Sequence, residues 1–190
     1  AAITDKKPNV RIAAIETLAQ LNADAAVPAI GQALEDKNER VQNKAIWALG
    51  HLGNPKAVPF LTQSFLYAKP ELQRMAVDAL GAIHDESALS ALGRALLENK
   101  DASIRARAAT QLGAQGNAQS FDALRKGLSD PETSVKLAVI HALGAIGLPP
   151  VIYMLESALK DANANVVRDA ALVLGGIGDP SAIENLKPLL

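Results

Sequence analysis

The sequence contains no cysteine, which excludes disulfides, thiolate metal ligands and a cysteine nucleophile. Aromatic residues make up only 3% of its 190 residues, whereas 49% of the residues are hydrophobic. The core must therefore consist mainly of Ala, Leu, Ile and Val, which is typical of closely packed helices. The lack of cysteine does not identify the compartment, and we favour a cytoplasmic location.

The chain also lacks a large net charge and a long apolar run. Its 19 basic and 20 acidic residues give a net charge of −1, so a strongly basic face for nucleic acid is not expected. No apolar run approaches the length of about 18 residues that a membrane span needs. We therefore expect neither a nucleic acid nor a membrane as the partner. Because the first residue is Ala rather than Met, the sequence is compatible with a fragment or a processed product.

The sequence does contain a repeat. The segment "IWALGHLGNPKAVPFL" at 46–61 has near-copies, among them "IHALGAIGLPPVIYML" at 140–155 and "ALVLGGIGDPSAIENL" at 171–186. One column of the repeat advances in steps of 31, 31, 32, 31 and 31 residues, through Leu18, Leu49, Leu80, Leu112, Leu143 and Leu174. Two further columns keep the same steps, namely Val10, Val41, Leu72, Ile104, Val135 and Val166, and Leu34, Phe65, Leu96, Leu128, Leu159 and Leu190.

Each copy of the repeat predicts two helices. In "NERVQNKAIWALGHL" (38–52), Val41, Ala45 and Leu49 share one side of a helix, and "NPKAVPFLTQSFL" (54–66) predicts the next helix. We call the helix that carries the Val41 column the B helix, and the helix that carries the Phe65 column the A helix. A glycine follows four of the B helices, where a left-handed cap is expected: Gly53, Gly116, Gly147 and Gly178.

A single hairpin of this size cannot bury its own apolar face, so successive hairpins must stack. We predict an all-α superhelix, an α-solenoid of about six repeats with a 31-residue period, as one array over residues 1–190. A compact helical bundle is the alternative. Since bundles need no strict period, the repeat favours the solenoid.

The motifs "VRIAAIETLAQL", "VKLAVIHALGAIG" and "AVPAIGQAL" resemble the HEAT-like repeats named after the phycobilisome lyases. The resemblance covers about residues 7 to 190, is specific for the fold and says little about function. In that family the A helix precedes the B helix, whereas this chain opens on a B helix and stops on an A helix at 181–190. We therefore expect an array that is incomplete at both ends, with an open apolar end at Leu189 and Leu190 that allows end-to-end contact.

The only tryptophan lies opposite the predicted core stripe of its B helix. Its column varies in chemistry, as a solvent or ligand column does: Glu16, Trp47, Asp78, Thr110, His141 and Leu172. The resemblance implies that B helices line the concave surface of the array. We therefore expect a partner-binding site on that surface, formed by Arg40, Lys44, Trp47, His51, Arg74, Asp78, Arg107 and His141.

Structural roles compete with binding for several of these residue types. Trp47 can instead form an intramolecular cation–π contact with Arg74 or Lys44. We expect bridges to the acidic residues of the turns from Arg11, Arg105 and Lys136, and packing in the core or between repeats from Phe60, Tyr67, Tyr153 and Met154.

No pattern indicates catalysis or a bound metal or cofactor. The three histidines, His51, His84 and His141, fall in three different columns, and no paired-histidine motif is present. Deoxyhypusine hydroxylases, which resemble this fold, carry His-Glu pairs after the "V-R" position, and no such pair occurs here. We predict no catalytic, metal-binding or cofactor-binding residues.

These observations favour a non-catalytic scaffold that recognises a protein or peptide. The alternative, implied by the resemblance, is a subunit of a bilin chromophore lyase or a related phycobilisome-associated factor. Trp47, His51, Arg74 and Asp78 supply the aromatic and charged groups that a chromophore groove needs. Retention of a coloured bilin on co-expression with a pigment pathway distinguishes the two.

Overall fold

The computed structural model describes residues 2–67 and 69–187, and within these residues it contains helices and no strand. The B helices are α1 (Pro8–Gln20), α3 (Glu39–Leu52), α5 (Pro70–Gly81), α7 (Ala102–Gln115), α9 (Thr133–Ile146) and α11 (Ala164–Ile177). The A helices are α2 (Val27–Gln32), α4 (Val58–Tyr67), α6 (Glu86–Glu98), α8 (Phe121–Gly127), α10 (Pro150–Leu155) and α12 (Ala182–Leu186). Short 3-10 turns extend several A helices, at Asp24–Ala26, Ala33–Glu35, Pro55–Ala57, Ala118–Ser120 and Ala158–Lys160. The predicted all-α solenoid class is confirmed.

The chain divides into two compact units, Ala1–Ala91 and Leu92–Leu190. In the first unit, α1, α3 and α5 pack side by side and α2 and α4 cover them on one side. In the second unit, α7, α9 and α11 pack side by side, with α8 and α10 against them. Each unit is therefore a stack of helical hairpins. The single array over residues 1–190 stays a prediction.

The repeat columns form the core of each unit. Leu49, Leu80, Leu112, Leu143 and Leu174 are fully buried, and most members of the other two columns are buried. The exceptions in the first unit are Leu18 and Leu34, which are half-buried, and Val10, which is 37% exposed. Val10 and Leu18 lie on α1, and among the B helices that the structure describes, α3 packs beside α1 on one side only. Leu189 and Leu190 lie outside the described residues.

Two kinds of glycine occur in the B helices. Gly53, Gly116, Gly147 and Gly178 end their helices with φ of +60°, +64°, +63° and +71°, which confirms the predicted left-handed caps. The glycines of the "A-L-G" motif lie inside the helices. A Cβ on Gly113 would lie 2.6 Å from the Cα of Ala142, so this position requires glycine for close packing of α7 and α9. A glycine inside the helix therefore sets the distance between two B helices, which is a different role from that of the caps.

Ion pairs join the start of three B helices, α1, α7 and α9, to the next turn. Arg11 donates to both carboxylate oxygens of Asp36, and Arg105 donates in the same way to Asp130. The Lys136 ammonium lies 2.5 Å from a carboxylate oxygen of Asp161. The predicted bridges from these three cations to turn acids are confirmed. Because the guanidinium of Arg105 also donates to two backbone carbonyls, the pair ties one turn to the next.

These ion pairs keep the turn carboxylates charged. The hydrogen bond from Arg11 lowers the pKa of Asp36, and the hydrogen bond from Lys136 lowers the pKa of Asp161. Burial opposes ionisation of Asp130, but the hydrogen bond from Arg105 and the backbone N–H of Glu132 outweigh it and lower the pKa. The same aspartates accept a backbone N–H two residues later, which fixes the turn that leads into the next B helix.

The aromatic residues and the methionine of the A helices were predicted to pack in the core or between repeats. This prediction was wrong for Tyr153. Tyr153 is 69% exposed, because it lies on the side of α10 opposite the buried Val151 and Leu155. Phe60 packs against Gly31 of the preceding A helix, and Met154 is half-buried. The side chain of Tyr67 lies outside the described part of the chain.

Candidate aromatic groove on the B helices

The α3 helix presents an exposed stripe that contains Trp47. The side chain of Asn38 accepts the backbone N–H of Arg40 and fixes the first turn, so Arg40, Lys44, Trp47 and His51 follow one another along the side away from Val41 and Leu49. Trp47 is 40% exposed, whereas Val41 and Leu49 are fully buried. The expectation that Trp47 lies outside the core is confirmed.

Two neighbours on the same helix hold the indole ring. The ring of His51 stacks on Trp47 with a centroid distance of 5.1 Å and an interplanar angle of 15°. The ammonium of Lys44 lies 4.5 Å from the centre of the Trp47 ring, which is the cation–π contact that the alternative interpretation predicts. Trp47 is therefore an exposed ring in a fixed orientation.

A groove of about 330 Å³ lies beside this ring, between α3 and α5. Its floor consists of small or buried residues, and its walls are formed by Trp47 and His51 on α3 and by Met75 and Asp78 on α5. The floor is shallow because α3 and α5 touch there: a Cβ on Gly50 would lie 2.9 Å from the Cα of Ala79. We call this groove the Trp47 groove; its floor and far end are lined by Ile46, Gly50, Ala79 and Ala82.

The structure brings some of the predicted site residues together and separates others. Trp47 contacts both Lys44 and His51, and Asp78 lines the same groove. Arg40 lies two helical turns before Trp47, and Arg74 lies on α5, paired with Glu71 at 2.5 Å. The two remaining residues, Arg107 and His141, belong to the second unit.

Charged side chains pair across neighbouring B helices with an offset of 28 residues. Lys44 lies 3.3 Å from Glu16, and His141 lies 3.0 Å from a carboxylate oxygen of Asp169. Met75, which lies 28 residues after Trp47, lines the groove beside it. Each of Glu16, Trp47 and His141 therefore lies beside the residue 28 positions later in the sequence, on the next B helix. This arrangement was not predicted, although opposite charges at a 28-residue offset are visible in the sequence.

His141 and Asp169 belong to a small polar cluster on the second unit. Asp169 is only 8% exposed, and its other carboxylate oxygen accepts a hydrogen bond of 2.8 Å from Arg168. This bond from Arg168, followed by attraction to the same guanidinium and a hydrogen bond to His141, lowers the pKa of Asp169 against the opposing effect of burial. The cluster joins α9 to α11, so it has a structural role.

A second groove occurs at the equivalent repeat positions of the second unit. It has a volume of about 500 Å³, and it is lined by His141, Gly144, Gly147, Val173, Gly176 and Ile177. His141 occupies the repeat position of Trp47, and Gly144 that of Gly50. A groove beside the "A-L-G" glycine thus arises in both units from the packing of adjacent B helices, while the wall residues differ.

Neither a metal site nor a membrane span occurs in the described part of the chain. The side chains that the structure describes include no group of three or more His, Asp or Glu arranged to hold a metal ion. In residues 2–67 and 69–187, no helix is both long enough and apolar enough to cross a bilayer.

The comparisons with known proteins agree with the repeat. No curated protein sequence matches the chain. The complex of CpcE and CpcF of phycocyanin lyase from Nostoc sp. PCC7120 is similar in structure, with a TM-score of 0.56 and 25% identity over 97% of this chain and 77% of that chain. A designed armadillo repeat protein in complex with the peptide (KR)4 has a TM-score of 0.56 and 18% identity over 93% of this chain and 96% of that chain.

An engineered protein is similar to the same degree, with a TM-score of 0.56 and 19% identity over 93% of this chain and 94% of that chain. The likeness to the CpcE–CpcF complex bears out the resemblance to the HEAT-like repeats of the phycobilisome lyases, and the other two structures share the helical solenoid fold. A family model for HEAT repeats matches residues 1–69, 67–132, 94–173 and 122–190, and the protein therefore belongs to the HEAT repeat family.

Proposed function

We propose that the protein is a non-catalytic adaptor that binds a protein or peptide partner through the exposed surface of its B helices. The Trp47 groove is the centre of this surface in the first unit. The observation that carries the proposal is a tryptophan that is 40% exposed yet oriented by His51 and Lys44 at the edge of a groove. An aromatic ring held in place loses little conformational freedom on binding, and tryptophan is enriched among the residues that dominate binding energy.

The composition of the surface supports a polypeptide partner. The groove combines an aromatic wall, a thioether and small apolar residues with a rim of paired charges, which is the mixture found in protein interfaces. The similar structures support the same class of partner, since one is a complex of two protein chains and another is a complex with a peptide. The predicted concave position of this surface remains part of the proposal.

A peptide-display selection tests the proposal and does not require that the natural partner be identified first. A random library of peptides is selected on the wild-type protein, and the enriched peptides are then measured against Trp47→Ala and Tyr153→Ala. Tyr153 is a matched control, because it is also an exposed aromatic residue but lies on an A helix of the second unit. We expect enriched peptides that lose at least tenfold in affinity with Trp47→Ala, about 1.4 kcal/mol, and retain their affinity for Tyr153→Ala. Selection of no peptide that depends on Trp47 would contradict the proposal.

A subunit of a bilin chromophore lyase is the second candidate, and the structural likeness to the CpcE–CpcF complex favours it. In this case the ring of Trp47 and the polar side chains of His51 and Asp78 contact a bilin rather than a peptide. Co-expression with a pigment pathway tests this candidate. A protein that stays colourless after purification argues for the adaptor, and a coloured protein whose absorbance is lost with Trp47→Ala argues for the lyase subunit.

A further inference from the structure

We propose that the exposed stripe of α3 selects an acidic peptide segment, in which a carboxylate binds Arg40 and an apolar side chain three residues away occupies the Trp47 groove. This inference rests on the proposed function, because it assigns the chemistry of the partner at the same site. It follows from the distribution of charge along α3 and from the spacing of Arg40 and Trp47 on one face of this helix.

The stripe of α3 carries basic and aromatic side chains and no acid. Its members are Arg40, Lys44, Trp47 and His51, and the one acidic residue of the helix, Glu39, is paired with Lys69 at 2.8 Å. The two B helices packed beside α3, α1 and α5, contribute acids, so the charge surrounding the stripe is mixed. Glu16 of α1 pairs with Lys44, and Glu71 of α5 pairs with Arg74, while Asp78 of α5 lines the groove.

Arg40 differs from the other cations near the groove. It is exposed, and none of the side chains that the structure describes pairs with its guanidinium. Lys44 and Arg74 already neutralise Glu16 and Glu71. A carboxylate from a partner would therefore find at Arg40 a planar donor group that is not already engaged, with geometry suited to two parallel hydrogen bonds.

The distance between Arg40 and the Trp47 groove determines the spacing of the two peptide side chains that bind them. Arg40 and Trp47 are separated by seven residues, which is two helical turns, or about 10 Å along α3 on the same face. A peptide in the polyproline II conformation repeats its direction every three residues and advances about 9 Å in that interval. A carboxylate and an apolar side chain three residues apart therefore reach Arg40 and the groove together, in either chain direction.

Nucleic acid is the other class of ligand that a basic and aromatic stripe attracts. Three observations favour the peptide: the stripe occupies a single helix, the acids of α1 and α5 flank it, and the net charge of the chain is −1. A polyanion would place several phosphates over these acids, whereas a short peptide with one carboxylate avoids them.

The test uses proline-rich peptides of eight residues and the single tryptophan of the protein as the probe. One peptide carries Glu and Leu three residues apart, and its variants replace Glu by Gln or Lys, or Leu by Ala. Titration is followed by the emission of Trp47, because the peptides contain no tryptophan. We expect the Glu-Leu peptide to bind at least tenfold more tightly than the Lys-Leu and Glu-Ala variants. With Arg40→Glu the preference for Glu over Lys should invert.

Lys56→Glu is the matched control, because it makes the same change of charge at another exposed position of the first unit, before the A helix α4. It should leave the preference for Glu unchanged, and an equal loss with Lys56→Glu and Arg40→Glu would overturn the proposal. The proposal also fails if the Glu-Leu peptide leaves Trp47 emission unchanged, if the Lys peptide binds as well, or if a DNA oligonucleotide displaces it at physiological salt. Display peptides that depend on Trp47 but carry no acidic residue would refute this inference and leave the adaptor function intact.

Discussion

At the scale of single residues, the neighbours of Trp47 determine what this side chain can do. Lys44 and His51, one turn before and one turn after it, restrict the indole ring while leaving part of it accessible. Neither neighbour belongs to the core stripe of Val41 and Leu49. Lys44, Trp47 and His51 can therefore be replaced without creating a cavity in the core. Stability and binding should therefore separate at this position.

Replacement of Trp47 by Ala should lower the free energy of unfolding by no more than about 1 kcal/mol, in line with a partly exposed contact. In the wild-type protein the emission of Trp47 should be red-shifted and readily quenched by acrylamide, because 40% of the residue is in contact with water. Thermal unfolding and quenching measure the two effects. A blue-shifted, unquenchable emission together with a large loss of stability would show that Trp47 is a core residue.

The glycines of the "A-L-G" column test how closely the B helices pack. A Cβ at Gly113 would lie 2.6 Å from the Cα of Ala142, a backbone atom that cannot move aside cheaply. Gly113→Ala should therefore destabilise the protein by about 1–3 kcal/mol. The control is Gly175→Ala at the same repeat position of α11, where a Cβ meets no atom within 4 Å. It should be neutral or stabilising by up to about 1 kcal/mol, since alanine favours helix, and urea denaturation measures both.

At the scale of helices, the ion pairs between turns make stability depend on pH. The pKa of Asp130 is lower in the folded protein than in the unfolded chain, so the pair stabilises the fold above the unfolded pKa of about 3.9. As the pH falls through this value towards the lower folded pKa, the carboxylate is protonated and the stabilisation is lost.

Asp130→Asn should therefore cost about 2–3 kcal/mol at pH 7, because it leaves the buried guanidinium of Arg105 without its charged partner. The difference from wild type should shrink at pH 3. Asp122→Asn removes an aspartate whose pairs with Arg125 and Lys126 are exposed, so the free energy of unfolding should change little. Urea denaturation at the two pH values measures these effects; a cost for Asp130→Asn that does not vary with pH would show that the charge of the pair is unimportant.

The stacking of helices within a unit predicts which helices a core mutation destabilises. Leu80 is fully buried in α5, which packs against α3 and α4. Leu80→Ala should cost about 2–5 kcal/mol, and amide hydrogen exchange should rise first in these three helices, because coupling in stacked repeats is between neighbours. Leu21→Ala, at a position 71% exposed, is the control and should change stability by less than about 0.5 kcal/mol. An equally small effect of Leu80→Ala would show that the register of the repeat is wrong.

At the scale of the whole molecule, the net charge of the chain limits which classes of partner it can bind. With 19 basic and 20 acidic residues and most charges near the Trp47 groove in pairs, few cations are available for phosphates. Binding to duplex DNA at physiological salt should therefore have a dissociation constant no tighter than about 1 μM. Fluorescence anisotropy with a labelled duplex measures it, and submicromolar binding would refute the proposal of a polypeptide partner.

The sequence by itself determined the repeat, the helix boundaries near each cap, the buried columns and the bridges between turns. These features depend on the order of residues within one hairpin or on a fixed spacing, so a periodic pattern is enough to predict them. The left-handed glycine at Gly116 and the pair between Arg11 and Asp36 are examples. The exposure of Trp47 was predicted in the same way, from its angle to the core stripe.

Only the tertiary structure decided how neighbouring helices meet. The pairing of Lys44 with Glu16 and of His141 with Asp169, and the close packing at Gly113, depend on the rotation and separation of adjacent B helices. Periodicity identifies the buried side of each helix, but it does not specify which side chains of two packed helices come into contact. The Trp47 groove arises from such a contact, where α3 and α5 approach closely enough at Gly50 to form a floor between an aromatic wall and Met75.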